Sequence, residues 1–368
     1  MKQQPVFRYV VPALAWWLLA ASLLGAGEYE ELFGRHLTRK RGETHARFTA
    51  DLLILGRTGV QSVDILFSDP TGGPRIPLLN TADLDIGAAS LSGRYDLIFS
   101  DNSPYELQFT LSGFPDGRKS KATRMDPDIV TTFFGRSYTS APFDAPTATT
   151  GLKDMRYDSQ FGSGEVNLRQ QLGPRATWFS GFRYVALQED LDSFSVDSVT
   201  GVPTSVTRAD ADNSLYGYQI GVESTIWTIG KARIDVIGRG GVFLNKIEAR
   251  LKATIGAPNP SDPDIPHVFK RQDDGAAFAG DLQATLIVPL GRGALRLGYQ
   301  VFWVNRVALL PNQLDDIDFS TDTGSFDLTS PVYQGGFVGL EFPRLTLTLG
   351  RLDNLNGATF VQTGMMPW

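Results

Sequence analysis

Hydrophobic and polar residues alternate with a period of two along much of this chain. Tyr105, Leu107, Phe109 and Leu111, for example, are separated by single polar residues. The same alternation occurs at 214–222, 276–288 and 295–303. Because successive side chains of a β-strand point to opposite faces, such runs predict strands with one apolar and one polar face. The fold class predicted from the pattern is therefore all-β.

The lengths of the connections between these strands distinguish two kinds of all-β fold. In a soluble sandwich the apolar face packs a core, whereas in a transmembrane antiparallel β-barrel it contacts lipid. Short turns are predicted at 172–175, 228–231 and 290–293, and long connections at 139–154, 193–212, 250–274 and 307–329. This regular order is typical of an outer-membrane barrel with short periplasmic turns and long external loops. The sequence therefore predicts such a barrel, in contact with outer-membrane lipid.

The number of strands follows from the positions of the alternating runs. We expect about 12, an even number that places both chain ends in the periplasm. The predicted strands are 46–57, 60–67, 85–99, 105–114, 128–137, 155–172, 175–192, 213–229, 231–249, 275–289, 293–306 and 330–343. Within 155–172 the apolar parity changes, from Tyr157 and Phe161 to Val166 and Leu168. A β-bulge at 162–164 would explain that change.

The chain begins with the features of an export signal. Lys2 and Arg8 precede an uncharged, mainly apolar stretch that ends in small residues, a pattern typical of a cleaved signal peptide. A single transmembrane anchor is the alternative, because about 20 apolar residues can span a bilayer. The predicted organisation is a signal peptide at 1–27, a charged N-terminal periplasmic segment at 28–45, the β-barrel at 46–343 and a C-terminal extension at 344–368. The predicted location is the cell outer membrane.

The C-terminal extension has two interpretations, an extra strand or a periplasmic tail. Pro343 cannot donate to a sheet ladder, so a strand would have to restart after it. The terminal aromatic residue Trp368 resembles the assembly signal of outer-membrane barrels. This resemblance implies the barrel-assembly machinery as a partner.

Composition narrows the function classes. The formal net charge of −6 argues against a nucleic-acid partner, which needs clustered Lys and Arg. The absence of Cys excludes disulfides, thiolate metal sites and Cys nucleophiles. Of the His residues, only His267 lies beyond the N-terminal segment. It could pair with Asp262 or Asp264 for acid–base chemistry, but a solvated loop His is the favoured interpretation.

The predicted loop 307–329 contains five Asp residues and is a second candidate for a bound ion. Clustered carboxylates can bind Ca²⁺, but no Glu closes a twelve-residue loop as in an EF-hand. A solvated acidic loop is therefore favoured. Together these observations predict no catalytic residues, no metal site, no cofactor and no enzymatic activity.

Several stretches carry a family resemblance between Tyr157 and Phe342. They are 164–168 (GEVNL), 181–184 (GFRY) followed by Glu189, 213–221 (NSLYGYQIG), 277–282 (AFAGDL), 296–303 (RLGYQVFW), 307–309 (VAL) and 336–341 (GFVGLE). In order and spacing they resemble the beta-barrel porin-7 family of outer-membrane proteins. The resemblance covers about half of the chain and implies an outer-membrane barrel with a porin role, without catalytic residues. The sequence departs from the family at its end, where it continues past Phe342.

Strand parity also assigns charged residues to the barrel interior, opposite the apolar face. These pore-lining candidates are Arg94, Arg156, Arg169, Arg183, Arg233, Arg239, Arg296, Glu106, Asp158, Glu165, Glu223, Asp235, Asp281 and Glu341. Cations and anions are equal in number in this set, and Arg forms bidentate pairs with carboxylates. The two signs would either line a water-filled passage or bond across the lumen and close it.

Two functions follow from these alternatives. Barrels of about 8 strands are filled by side chains, whereas 16–18 strands leave an aqueous channel. A barrel of intermediate size predicts a narrow porin-like channel for passive diffusion of small hydrophilic solutes or ions. The alternative is a non-transporting structural or adhesive surface barrel that acts through its long loops.

Overall fold

The computed structural model describes the chain from Thr44 to Gln362, with gaps. The described residues are 44–58, 64–69, 76–80, 88–98, 105–125, 130–133, 151–197, 203–255, 265–291, 293–310, 313, 317–318, 323–324, 327–350 and 360–362. The predicted signal peptide and nearly all of the predicted 28–45 segment lie outside them. In this part of the chain no helix combines the length and the apolarity that crossing a bilayer would require.

The main sheet is a closed antiparallel barrel of ten strands, each paired with its neighbours in chain order. The strands are β1 (Thr44–Thr58), β2 (Ala88–Ile98), β3 (Tyr105–Met125), β4 (Gly151–Gln171), β5 (Ala176–Asp197), β6 (Pro203–Ile229), β7 (Ala232–Ile255), β8 (Ile265–Leu290), β9 (Gly293–Val304) and β10 (Val332–Gly350). Strand β1 pairs with β10 from Thr44↔Leu347 to Thr58↔Val332, which closes the barrel. The predicted all-β antiparallel barrel is therefore confirmed.

The predicted count of about 12 strands is wrong. Two of the predicted strands, 60–67 and 128–137, do not enter the barrel wall. Among the described residues, Asp64–Asp69 pairs with both Val130–Phe133 and Ile76–Asn80 in a separate three-stranded sheet. Alternation identifies strands correctly here, but it does not say which sheet a strand joins.

The connections at the two barrel ends differ, and we name the ends accordingly. The turn end carries the connections 99–104, 172–175, 230–231 and 291–292, and the loop end carries 59–87, 126–150, 198–202, 256–264 and 305–331. The strands extend further than predicted, since much of the predicted loops 193–212 and 250–274 belongs to β5–β8. Beyond the predicted barrel boundary, β10 continues to Gly350 and pairs there with the short strand Phe360–Gln362.

The predicted bulge at 162–164 is also absent. The ladder between β3 and β4 runs regularly through Gly113↔Gly162, and its register shift lies at Phe114/Gly117 instead. The parity change has another cause. Phe161 points into the barrel and is buried, whereas Val166 points outward and is exposed, so both faces of β4 carry apolar residues at different heights.

The outer face of the barrel is apolar around almost its whole circumference. Large exposed hydrophobic side chains lie on nine of the ten strands and include Ile54, Phe109, Leu168, Phe182, Ile220, Val242, Phe278, Leu297 and Val338. From Phe278 to Leu286 this face extends roughly 26 Å along the strand, at about 3.3 Å per residue. With a strand tilt of about 40°, that corresponds to roughly 20 Å along the barrel axis, close to the ~25 Å apolar band of membrane barrels.

The interior consists of two layers. Nearer the loop end, the interior is an apolar layer of buried side chains that includes Tyr157, Phe161, Leu187, Phe243 and Phe302. Nearer the turn end, the inward positions of the same strands carry charged and amide side chains. The boundary between the layers falls within single strands. In β9, for example, Arg296 lies in the polar layer and Phe302 in the apolar one.

Candidate functional site

The charged side chains of the polar layer form one band inside the barrel, which we call the ionic belt. All ten strands contribute to it. Its members are Arg47, Asp51, Arg94, Asp96, Glu106, Glu165, Arg169, Arg183, Glu223, Arg233, Asp235, Arg239, Asp281, Arg296 and Glu341. Because the wall is a closed sheet, ion pairs between non-adjacent strands must cross the lumen.

One group in the belt is a ring of two arginines and two carboxylates. Arg183 on β5 lies 2.8 Å from the Asp281 carboxylate on β8 and 3.3 Å from the Glu165 carboxylate on β4. Arg239 on β7 contacts the same two carboxylates, each at 2.6 Å. All four residues are buried or nearly so. Each guanidinium thus bridges two carboxylates, the arrangement that makes buried ion pairs tolerable.

A second group links strands on opposite sides of the barrel. Glu223 on β6 accepts hydrogen bonds from Arg169 on β4 at 2.7 Å and from Arg94 on β2 at 3.2 Å. Arg94 also donates to Asp96 at 2.9 Å, and the Glu106 carboxylate lies 3.6 Å from Arg169 Nε. The Arg94–Glu223 contact spans four strand positions of the wall, so it bridges the lumen.

A third group closes the seam where the first and last strands meet. Arg296 on β9 contacts Asp51 on β1 at 2.9 Å and Glu341 on β10 at 3.1 Å. The other oxygen of Glu341 lies 3.1 Å from Arg233 on β7, and Arg233 also pairs with Asp235 at 2.9 Å. Four strands are tied together by these contacts.

A chain of amide side chains connects the first two groups. Gln108 donates to Asp96 at 3.0 Å, Asn167 donates to Gln108 at 3.0 Å, and Gln219 donates to Asn167 at 2.9 Å and to Glu165 at 3.0 Å. These amides are almost completely buried. A fully satisfied buried network of this kind rigidifies the interior.

Most of the sequence-predicted lumen residues meet in this belt. Arg156 and Asp158 are the exceptions. They alternate with the inward residues Tyr157 and Ser159, and they lie opposite the outward residues Asp192 and Asp190 of β5. They therefore lie on the outer face near the loop end, where they pair with each other at 3.0 Å, and the prediction that they line the pore is wrong. Sequence reasoning missed Arg47, Asp51 and Asp96. Asp96 shares the parity of Arg94 and was detectable by the same rule, whereas Asp51 is hidden in a stretch where both faces are apolar.

On the loop-end side of the ionic belt, the chain that follows β9 enters the interior of the barrel. We call Arg306–Leu310 the lumen segment; Val307, Ala308, Leu309 and Leu310 are almost completely buried. The segment begins at Arg306, which has a φ of 53°, a left-handed conformation uncommon for a residue with a side chain. This part of the predicted external loop 307–329 is therefore inside the molecule.

Polar side chains of the barrel wall hold the lumen segment. Asn213 donates to the Ala308 carbonyl at 2.7 Å and accepts from the Ala308 N–H at 2.8 Å. Glu189 accepts from the Leu310 N–H at 2.7 Å and is paired with Arg57. Asn245 donates to the Arg306 carbonyl at 2.8 Å. Wall side chains thus satisfy four backbone groups of the segment, while the Leu309 carbonyl accepts from the Gln313 N–H and Val307 pairs with Thr329, so that buried backbone groups find partners.

A cavity of about 60 Å³ lies between the belt and the apolar layer. The arginines on one side and aromatic side chains such as Phe161, Phe302 and Phe337 on the other form its wall. It has room for a few water molecules. Among the described residues, no group of three or more His, Cys, Asp or Glu is arranged to hold a metal ion.

Comparison with known proteins gives no family. No protein-family model matches the chain, and no curated protein matches its sequence. The resemblance to the porin-7 family therefore stays a prediction.

Similar solved structures include three membrane β-barrels. The outer membrane protease OmpT from Escherichia coli is 10% identical, with 83% of this chain and 99% of that chain covered and a TM-score of 0.41. The translocator domain of the autotransporter NalP from Neisseria meningitidis is 11% identical, with 90% of this chain and 95% of that chain covered and a TM-score of 0.33. The toluene transporter TodX from Pseudomonas putida is 7% identical, with 83% of this chain and 90% of that chain covered and a TM-score of 0.33.

One of these similarities corrects an expectation from the sequence. The scarcity of His predicts that the chain is not an enzyme, yet the OmpT barrel is a protease. The exclusion of enzymatic activity is therefore withdrawn. With TM-scores below 0.5, none of the three similarities assigns an activity, a substrate or a family to this chain.

Proposed function

We propose that this chain is an integral outer-membrane β-barrel whose lumen is closed to hydrated solutes, and that it acts as a structural or adhesive element through its loop end. The observation that carries the proposal is the set of ion pairs crossing the lumen, above all Arg94–Glu223 and the ring around Arg183 and Arg239. The apolar layer and the lumen segment add a second closure nearer the loop end.

The membrane location is supported by the distribution of outward side chains. The apolar outer face gives way to charge towards the loop end of β5–β8. The outward residues there include Asp190, Asp192, Arg208, Asp210, Asp212, Lys246, Glu248, Arg250 and Lys270. An apolar band that ends in charged residues is the pattern expected of a barrel that crosses a bilayer and projects beyond it. Only bacterial-type outer membranes and their relatives commonly hold such barrels, hence the proposed location.

The narrow channel for small hydrophilic solutes is the second candidate. The cavity inside the belt favours it, because it shows that the polar layer is not completely filled. For conduction, the lumen segment and part of the belt would have to move aside. Buried ion pairs resist such a change, since removing one partner leaves an unpaired buried charge.

Single-channel recording of the refolded full chain in a planar bilayer separates the two candidates. We expect no discrete conductance steps, while heat-modifiable migration on gels reports that the barrel has folded. Ohmic steps from the folded wild-type protein would overturn the closed-barrel proposal in favour of the channel.

Variants of the belt sharpen that comparison. Arg183→Ala leaves the buried carboxylates of Glu165 and Asp281 with Arg239 as their remaining arginine, and Arg296→Ala removes the arginine that pairs with Asp51. In a closed barrel both variants therefore mainly lower the temperature of unfolding. If these residues constrict a pore instead, the same variants raise conductance. Arg156→Ala serves as the control, because Arg156 is half-exposed and its partner Asp158 lies on the same strand.

A further inference from the structure

The wall of the cavity is chemically divided. Five guanidinium groups line it, but only two carboxylates do, those of Asp51 and Glu223. The other carboxylates that pair with these arginines, such as Asp281 and Glu341, lie behind them and do not line the cavity. A molecule in the cavity therefore contacts more arginine than carboxylate side chains on this side, and each of these arginines is also paired with a carboxylate.

The opposite wall is apolar. Leu53, Phe161, Phe302 and Phe337 line it, with Tyr333 beside them. Arg183 stacks over Phe302 with its guanidinium carbon 5.0 Å from the ring centre, so the two walls meet at this contact. A ligand suited to both walls has one anionic end and one apolar end.

One arginine in the wall has an unsatisfied donor. Arg169 is buried, and its Nε has no hydrogen-bond acceptor among the described residues. The Glu106 carboxylate lies 3.6 Å from this Nε, which is too far for a good hydrogen bond, whereas a terminal nitrogen of Arg169 donates to Glu223 at 2.7 Å. A buried donor left unpaired is costly, so the hydrogen bonding of Arg169 is incomplete.

Exposure within the belt is uneven. Side-chain exposure is 25% at Arg233 and 22% at Glu106, near the turn end, and it falls to 3% at Arg183 and 0% at Asp281. Asp96 and Arg169, also near the turn end, are at most 3% exposed. On the other side of the cavity, the apolar layer and the lumen segment close the barrel.

We propose that this cavity is a binding site for a small monocarboxylate, of about the size of acetate. Its carboxylate would contact the arginine wall, where bidentate Arg–carboxylate geometry is available, and its carbon end would contact Phe302 and Phe161. The volume of about 60 Å³ excludes a long or branched chain. The site goes beyond the proposed surface role and does not depend on whether the barrel conducts.

The test is acetate binding to the refolded full chain in detergent micelles. Line broadening of ¹³C-labelled acetate in NMR spectra reports occupancy, and unlabelled competitors report selectivity. We expect saturable broadening of the labelled acetate signal. Unlabelled acetate should reverse the broadening, propionate should reverse it more weakly, and acetamide and pivalate should have no effect. Acetamide is the neutral counterpart of acetate, and pivalate has the same charge but a branched carbon end.

Two variants locate the binding. Arg169→Gln should weaken acetate binding about tenfold or more, equivalent to about 1.4 kcal/mol or more, whereas Arg156→Gln should leave it unchanged, because Arg156 does not line the cavity. If Arg169→Gln does not fold, Leu53→Phe fills the cavity from its apolar side without removing a charge, and it should also abolish binding.

Three results would overturn the site. They are the absence of saturable binding by the folded wild-type protein, equal competition by chloride or acetamide, and unchanged binding in both Arg169→Gln and Leu53→Phe. None of these measurements involves conductance, so failure of this proposal and failure of the closed-barrel proposal are distinguishable.

Discussion

At the scale of single residues, the outward charges at the loop end include one carboxylate with an unusual environment. Asp212 on β6 lies beyond Tyr216, where the continuous apolar run on the outward face of its strand ends, and hence outside the membrane-spanning part. Partial burial, together with the nearby charges of Asp210 and Asp190, raises the pKa of Asp212 to about 6. Glu248 on β7 adds a smaller effect in the same direction, which a hydrogen bond from Gln188 opposes.

The raised pKa of Asp212 predicts how stability depends on pH. The folded state binds this proton more tightly than the unfolded state, so ionised Asp212 opposes folding above pH 6 and stability rises as the pH falls from about 7 towards 4. Asp212→Asn should therefore raise the denaturant midpoint at pH 8 and flatten its change between pH 8 and pH 5. Asp192→Asn is the control, because exposed Asp192 already pairs with Arg208 at 3.3 Å. Equal pH profiles for wild type and Asp212→Asn would contradict the prediction.

For single residues, alternation along the strands predicted most of the charged side chains that face the lumen, but it did not predict the apolar side chains that face the lumen. A charged side chain such as Arg183 or Asp281 in an alternating strand can only face inward when the other face meets lipid. Leu187 and Phe243 also face inward, but nothing in their residue type distinguishes a lumen position from a lipid-facing one. The apolar layer of the interior, nearer the loop end, was therefore not predictable from alternation.

At the scale of elements, the lumen segment is the feature that most changes the interpretation of the barrel. Asn213→Ala removes both hydrogen bonds to Ala308 and leaves a buried N–H and a buried carbonyl without partners. We expect a loss of about 1–3 kcal/mol of unfolding free energy, measured from urea transitions in one detergent. Gln272→Ala, at an exposed outward position, should have almost no effect. A loss no greater than that of the control would show that the segment is not held as described.

The sequence contains a signal for this segment that its surroundings obscure. Val307–Leu310 is a continuous apolar run without alternation, which indicates burial, but it is followed by a stretch rich in Asp that indicates an exposed loop. Likewise, the segments 64–69 and 130–133 are genuine strands whose pairing with each other depends on contacts distant in sequence. Local pattern identifies such elements, whereas their partners are set by the tertiary structure.

At the scale of the whole molecule, the barrel combines a lipid-compatible exterior with an interior that is largely filled. Closure of ten strands through the β1–β10 ladder gives each strand of the barrel wall a partner on both sides, as required of a sheet in a bilayer. A barrel of this size lies near the limit at which side chains can still fill the lumen. Large side chains inside, such as Tyr157 and Phe243, and the inserted lumen segment complete that filling.

The membrane placement of the whole barrel is testable by a charge on its outer face. Ile220 lies in the middle of the outward apolar run of β6 and is 58% exposed, whereas Val268, 57% exposed, lies on β8 beyond the charged outward residues at the loop end. In a bilayer, Ile220→Arg should cost about 2–4 kcal/mol of unfolding free energy and Val268→Arg about 0–1 kcal/mol, because the cost of an arginine depends on its depth. Guanidinium unfolding in phosphatidylcholine vesicles measures both. Since the two positions are equally exposed, a similar cost at both would mean that depth in a membrane does not distinguish them, and the barrel would then not be embedded as proposed.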